Sequence, residues 1–149
     1  MISVADALAK CLALVSPLET ETVPLAQSAG RVLRGDVAAD RPQPPFAASA
    51  MDGYALGAEA AIGDSFTVIG EAGAGHGFAG ALTAKQATRI FTGAPLPQGA
   101  VTIAIQEDIS ATGDQITLNA AARAGDNIRP KGQDFALGDS LQPRLLRPN

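Results

Sequence analysis

The least ordinary stretch of this chain is Pro44-Pro45-Phe46-Ala47-Ala48-Ser49-Ala50-Met51-Asp52-Gly53-Tyr54-Ala55, which carries an aspartate next to a glycine. The prolines stiffen its approach, and the small residues that follow leave room for another surface to come close. Gly53 allows a sharp backbone turn beside the carboxylate. A carboxylate held in this way can coordinate Mg²⁺, usually through water, or take a proton as a base. The plainer reading is an Asp-Gly turn entering a strand. A second stretch, Arg89-Ile90-Phe91-Thr92-Gly93-Ala94-Pro95-Leu96-Pro97, runs from a strand into a proline-stiffened turn. There the Thr92 hydroxyl and nearby backbone N–H groups could hold a phosphate or other oxyanion. A turn that only ends a strand accounts for the same residues.

Other chemistry-bearing residues carry less. Gln106-Glu107-Asp108 sets two acids at the end of an apolar strand, where such pairs are mostly solvated. Arg129 and Lys131 lie in a Gly/Pro turn and could meet a phosphate or form an exposed salt bridge. His76 stands among glycines with no Cys or His beside it, which argues against zinc. Gly73-Ala74-Gly75-His76-Gly77 is not a dinucleotide fingerprint, because no helix pattern follows it. Cys11 falls on an apolar helical stripe and reads as core rather than as a nucleophile.

The elements that must position these residues follow from the patterning. Ser3 suits a helix N-cap, with Asp6 in the first turn. Val4, Ala7, Leu8, Cys11, Leu12 and Val15 recur at helical spacing, and Pro17 closes the helix. Glu19 to Val23 is β-prone, Leu25 to Ala29 reads as a short helix ending at Gly30, and Val32 to Val37 as a strand. Arg41 to Phe46 cannot be helical and marks a border. Beyond it the short apolar runs Phe66–Ile69, Thr88–Phe91, Val101–Gln106 and Gln115–Leu118 alternate with Gly-rich turns, as in a small antiparallel sheet or barrel. Gly70 to Gly77 reads as a mobile loop. Asn127-Ile128-Arg129-Pro130-Lys131-Gly132 is a second border, and the tail from Asp134 to Asn149 could pair back with the first unit.

With 149 residues, the chain is one ordinary domain or two small ones and can bury roughly 70% of its unfolded surface. Its apolar share of 46% leans on Ala, with five Phe, one Tyr and no Trp, so the core is expected in thin aliphatic layers. A net charge of -4 and scattered Lys and Arg argue against a nucleic-acid partner. No apolar run nears the roughly 18 residues of a membrane span, and no basic segment precedes an apolar core at the N-terminus. With a single cysteine there is no internal disulfide. These features fit a cytoplasmic protein without a membrane partner.

Ser49-Ala50-Met51-Asp52-Gly53-Tyr54-Ala55 and Thr92-Gly93-Ala94-Pro95-Leu96-Pro97 resemble the gephyrin/MoeA family of molybdopterin molybdotransferases. Gly30-Arg31-Val32-Leu33, Gln106-Glu107-Asp108 and Asn127-Ile128-Arg129 extend the resemblance, in the family's order and spacing, over nearly the whole chain. It implies a mixed α+β, mainly β fold. An elongated helix-containing unit would be formed by both chain ends, 1–44 and 128–149, and a small antiparallel β barrel-like unit, 45–127, would be inserted in it. The chain would be the amino-terminal part of an enzyme that transfers molybdenum from molybdate to adenylylated molybdopterin with Mg²⁺, releasing AMP. The enzyme would work as a homodimer, downstream of a molybdopterin adenylyltransferase.

By the same resemblance Asp52 and Thr92 line the dimer's active cleft as catalytic residues, with Asp52 placing Mg²⁺ or the pyrophosphate bond. Ser49, Gly93 and Arg129 would help to bind substrate. Ala47 and Ala48 stand where many members have Asp and Asn, Lys85 where Gly is usual, Val101 where Asp is usual, and Gln133 where Glu is usual. The segment from Leu141 to Leu146 lacks the Gly expected before a further domain. Two other readings stand beside the enzyme part. One is a non-catalytic dimerisation or docking module, and the other is a free-standing β barrel that binds an anion.

Overall fold

A computed structural model describes residues 2–141 of the chain. These fall into two compact units, with borders between Val37 and Ala38 and between Ser140 and Leu141.

In the first unit, helix α1 (Val4–Leu12) starts on the expected cap, since the Ser3 hydroxyl accepts the Asp6 N–H at 3.1 Å. Its end comes earlier than the apolar stripe suggests. After the cap residue Ala13, Leu14 and Val15 donate to Cys11 and Leu12 in tighter i→i+3 bonds. Ser16, which precedes Pro17, is barred from the α region, so the last turn cannot continue. No residue of α1 is buried, and Cys11 is exposed rather than in a core. The expected short helix is a single 3₁₀ turn, Leu25–Gln27. Of the expected strand 32–37, Val32 makes an isolated bridge and Val37 belongs to β1 (Val37–Ala38), which lies beside β10 (Ser140–Leu141), while the residues between them are not in a strand.

The second unit holds the remaining strands: β2 (Ala48–Ser49), β3 (Gly53–Leu56), β4 (Ser65–Ala72), β5 (Gln86–Ile90), β6 (Thr102–Ile105), β7 (Ile109–Thr112), β8 (Gln115–Leu118) and β9 (Ile128–Arg129). Six of them form one sheet in the order β6-β3-β5-β4-β8-β7. The sheet is mixed rather than purely antiparallel, because β4 and β5 run parallel. Consecutive strands joined by a hairpin must be antiparallel, but the segment from Gly73 to Lys85 is long enough to cross back. The expected mobile loop is partly strand, since β4 runs on to Ala72. Beyond it, Gly73 and His76 close a tight turn through reciprocal backbone bonds of 3.0 and 3.2 Å.

Connectivity forces this sheet to curl. β6 and β7 stand at opposite edges, five strand spacings apart, which in a flat sheet is about 24 Å. Only the 3₁₀ turn Gln106–Asp108 joins them, and so short a link spans at most about 14 Å. The result is half a barrel with both faces covered. Leu56, Phe66, Ile116 and Leu118 pack with four alanines on one face, while Ala55, Leu82, Ile90 and Ile103 pack with Ala72 and Ala94 on the other. These are the thin aliphatic layers that an Ala-rich composition predicts.

Both proline-rich segments belong to this second unit. Ala39 donates to Asp139 and Gln43 to Phe135, each at 2.9 Å, so 38–44 and 134–139 run side by side. Residues 142–149, which include most of the tail expected to pair back, lie outside the described residues.

Candidate functional site

Three segments far apart in sequence meet around β2. On one side β2 pairs with β9, matching Ala48 to Arg129 and Ser49 to Ile128. On the other side Gly93 donates to the Ser49 carbonyl at 2.9 Å, Ser49 donates to Ala94 at 3.0 Å, and Leu96 donates to Ala47 at 2.9 Å. The two long motifs are therefore edge-to-edge backbone partners. A tight turn, Phe91 to Ala94, closes by a 2.9 Å bond and needs positive φ at its third position, where Gly93 has φ +81°.

This pairing brings Thr92 onto Asp52. The Thr92 backbone N–H and its hydroxyl both donate to Asp52 Oδ1, each at 2.8 Å. The donors that could have cradled an oxyanion are thus committed to a carboxylate belonging to the chain itself. Asp52 Oδ2 accepts no hydrogen bond from the described residues. The Asp52 backbone is fixed as well, because its carbonyl accepts the Gln106 N–H at 3.1 Å. Asp52 is half-buried, and Thr92 and Gly93 are exposed beside it.

Ser49 serves this loop from within. Its buried hydroxyl donates to the Met51 carbonyl at 2.5 Å and accepts the Met51 N–H at 3.3 Å, bracing the turn into Asp52. Arg129 lies beside Ala48, and one of its terminal nitrogens donates to both Asp134 oxygens at 2.7 and 2.9 Å. Both partners are over 40% exposed, so the pair contributes at most about 1 kcal/mol. Glu107 and Asp108 sit on the 3₁₀ turn after β6 rather than on the strand's end. Lys131 is exposed.

Two features of the site were not read from the sequence. Gly53 was expected to turn the chain, yet it opens β3 without positive φ. It is there for close approach, since a Cβ would lie 2.0 Å from the Ala104 carbonyl oxygen on β6. In the sequence Arg89 stands out only as part of its motif. Its guanidinium lies 5.1 Å from the Tyr54 ring centre and 4.9 Å from that of Phe91. Strand alternation offered part of the signal, because Arg89 and Phe91 are two apart, whereas the Tyr54 contact depends on the register that sets it opposite Arg89.

The Asp52 carboxyl is held below the ordinary aspartate range, first by the Thr92 N–H and then by the Thr92 hydroxyl; desolvation opposes them, and the Arg89 charge adds a smaller lowering. A folded-state pKa below the unfolded one means the unfolded chain binds more protons between the two values. Stability from this group is therefore complete above about pH 4 and is lost as pH falls through the lowered value. Asp52→Asn will remove that dependence. Urea denaturation of the chain at acid pH will show a steeper loss in the wild type than in D52N, and parallel curves would contradict the assignment.

Among the described residues no group of three or more His, Cys, Asp or Glu side chains is placed to hold a metal. Mg²⁺ needs no such cage, because it is commonly held by one or two carboxylates together with waters and substrate phosphates. A half-exposed carboxylate with one oxygen unbonded fits that mode.

A curled, mixed half-barrel with an aspartate clamped by a threonine is thus the class of site that this chain presents. Residues 2–147 match a family model described as MoeA N-terminal region (domain I and II), and the chain belongs to that family. It is similar to molybdopterin molybdenumtransferase 2 of Mycobacterium tuberculosis (strain H37Rv), with 39% identity over 126 residues, 80% of this chain and 31% of that protein. Against the molybdopterin molybdenumtransferase of Haemophilus influenzae it is 34% identical over 125 residues, 83% of this chain and 31% of the other. The crystal structure of a molybdopterin biosynthesis MoeA protein from Pyrococcus horikoshii OT3 superposes with a TM-score of 0.86 at 33% identity. That match covers 97% of this chain and 40% of the other. The chain spans about a third of the length of the curated relatives it matches.

Proposed function

We propose that this chain is the amino-terminal part of a cytoplasmic molybdenum cofactor biosynthesis enzyme that transfers molybdenum from molybdate to adenylylated molybdopterin, releasing AMP. The observation that carries the reading is the convergence of the Thr92 N–H and hydroxyl on one oxygen of Asp52. This clamp keeps the carboxylate ionised and oriented, with its second oxygen available to a substrate-bound cation. Asp52 is the residue that would hold Mg²⁺, which supplies charge neutralisation at the pyrophosphate. Thr92 orients Asp52, Gly93 permits the turn, and Ser49 braces the loop. Arg129 borders the same surface and reaches substrate only by leaving Asp134.

In this reading the chain forms one wall of a cleft completed by a further domain in a homodimer, and a molybdopterin adenylyltransferase supplies the substrate. One wall cannot preorganise both reactants, so placement of the reacting groups depends on the rest of the protein. The full-length protein given molybdate and adenylylated molybdopterin will release AMP, and residues 1–149 alone will not. Release by the short chain, or none by the full-length protein, would overturn the reading.

A further inference from the structure

We infer that Arg89 is the positioning residue of the Asp52 site, tying together the two backbone segments that hold Asp52 in place. One terminal nitrogen of Arg89 donates to the carbonyl of Gly53, the residue after Asp52, at 3.3 Å. The other donates to Gln106 Oε1 at 2.6 Å, and Gln106 in turn gives its backbone N–H to the Asp52 carbonyl. Asp52 thus lies inside a closed loop of contacts, Arg89 to Gly53 on one side and Arg89 through Gln106 on the other.

The guanidinium is itself held. It lies over Tyr54 from the neighbouring strand β3 and over Phe91, just past the end of its own strand β5, two aromatic contacts that a planar cation satisfies and an ammonium meets less well. Because Phe91 precedes Thr92, the same stack fixes the turn that delivers the Thr92 donors. Arg89 therefore reaches both halves of the Asp52–Thr92 clamp without touching Asp52 through a hydrogen bond. The other charged groups around it are Glu71, registered opposite on β4, and Glu107, which accepts from Gln106 Nε2 at 3.3 Å. That this positioning serves molybdenum transfer rests on the function proposed above, whereas the positioning itself does not.

The test follows the Thr92 amide by ¹⁵N NMR in this chain and in its R89K variant. Lysine keeps the charge but not the planar fork, so the variant separates placement from electrostatics. In the wild type the Thr92 amide resonance moves as Asp52 titrates, and D52N removes that movement. R89K will shrink the movement and speed Thr92 amide exchange by on the order of tenfold, the loss of a hydrogen bond to a charged acceptor. A Thr92 amide with wild-type shift, titration and exchange in R89K overturns the inference. If R89K does not fold, Q106A at an exposed side chain gives the same test, with a smaller change expected and wild-type behaviour again overturning it. The outcome is independent of catalysis. A disturbed Thr92 amide in R89K, together with unchanged transfer by full-length D52N, would leave the positioning standing and remove the catalytic reading. A wild-type amide with transfer lost in D52N would do the reverse.

Discussion

Asp52→Asn in the full-length protein will lower molybdenum transfer by on the order of 10²- to 10³-fold, the scale of losing one preorganised electrostatic partner of a transition state. The substitution is nearly isosteric. An asparagine oxygen can still accept both Thr92 bonds, so the half-barrel and the β2 pairings stay in place. What disappears is the negative charge and the second carboxylate oxygen, which accepts no hydrogen bond from the described residues. Steady-state AMP release at saturating molybdate and varied Mg²⁺ checks this. A loss that excess Mg²⁺ partly restores identifies Asp52 with the cation, and wild-type turnover would exclude it from the mechanism.

Gly53→Val will destabilise the chain by at least about 3 kcal/mol, the upper range for overpacked interior positions. The reason is backbone, not side chain. A Cβ on Gly53 would lie 2.0 Å from the Ala104 carbonyl oxygen and 3.0 Å from Ile105 Cα, neither of which can rotate away. Relief requires β6 to separate from β3, where Gly53 is registered opposite Ile105. Because Asp52 takes its carbonyl partner from Gln106, just beyond Ile105, the same separation would also loosen the site. A urea midpoint equal to that of the wild type would show that the strands are not packed this closely.

The elements that are local in origin were legible in the sequence. Ser3 and Asp6 set the start of α1, and Gln115–Leu118 is the strand that its alternation predicts. The apolar stripe misled at the other end of α1, because it runs on to Val15 whereas the α-helix ends at Leu12 and gives way to tighter i→i+3 bonds ahead of Pro17. Pairing was less legible. No local feature states that β4 runs parallel to β5, or that β6 and β7 lie at opposite edges while only three residues join them. The two long motifs announced Asp52 and Thr92, but their contact arises from β2 pairing with the turn after β5, forty residues on. The same dependence hid Arg89, whose role exists only in the register that sets it opposite Tyr54. At Gly53 conformational freedom is the property the sequence suggests, whereas the close approach of Ala104 on β6 depends on a strand register that no local feature states.

The most direct measurement is a double-mutant cycle on transfer by the full-length protein, using D52N, T92V and both together. Valine keeps the shape of threonine and its backbone N–H while removing the hydroxyl donor to Oδ1. If Thr92 acts through Asp52, the double variant will be no slower than D52N alone, as for residues that work as one unit. Losses that multiply would mean that Thr92 acts independently of Asp52 and would contradict the clamp on which the account rests.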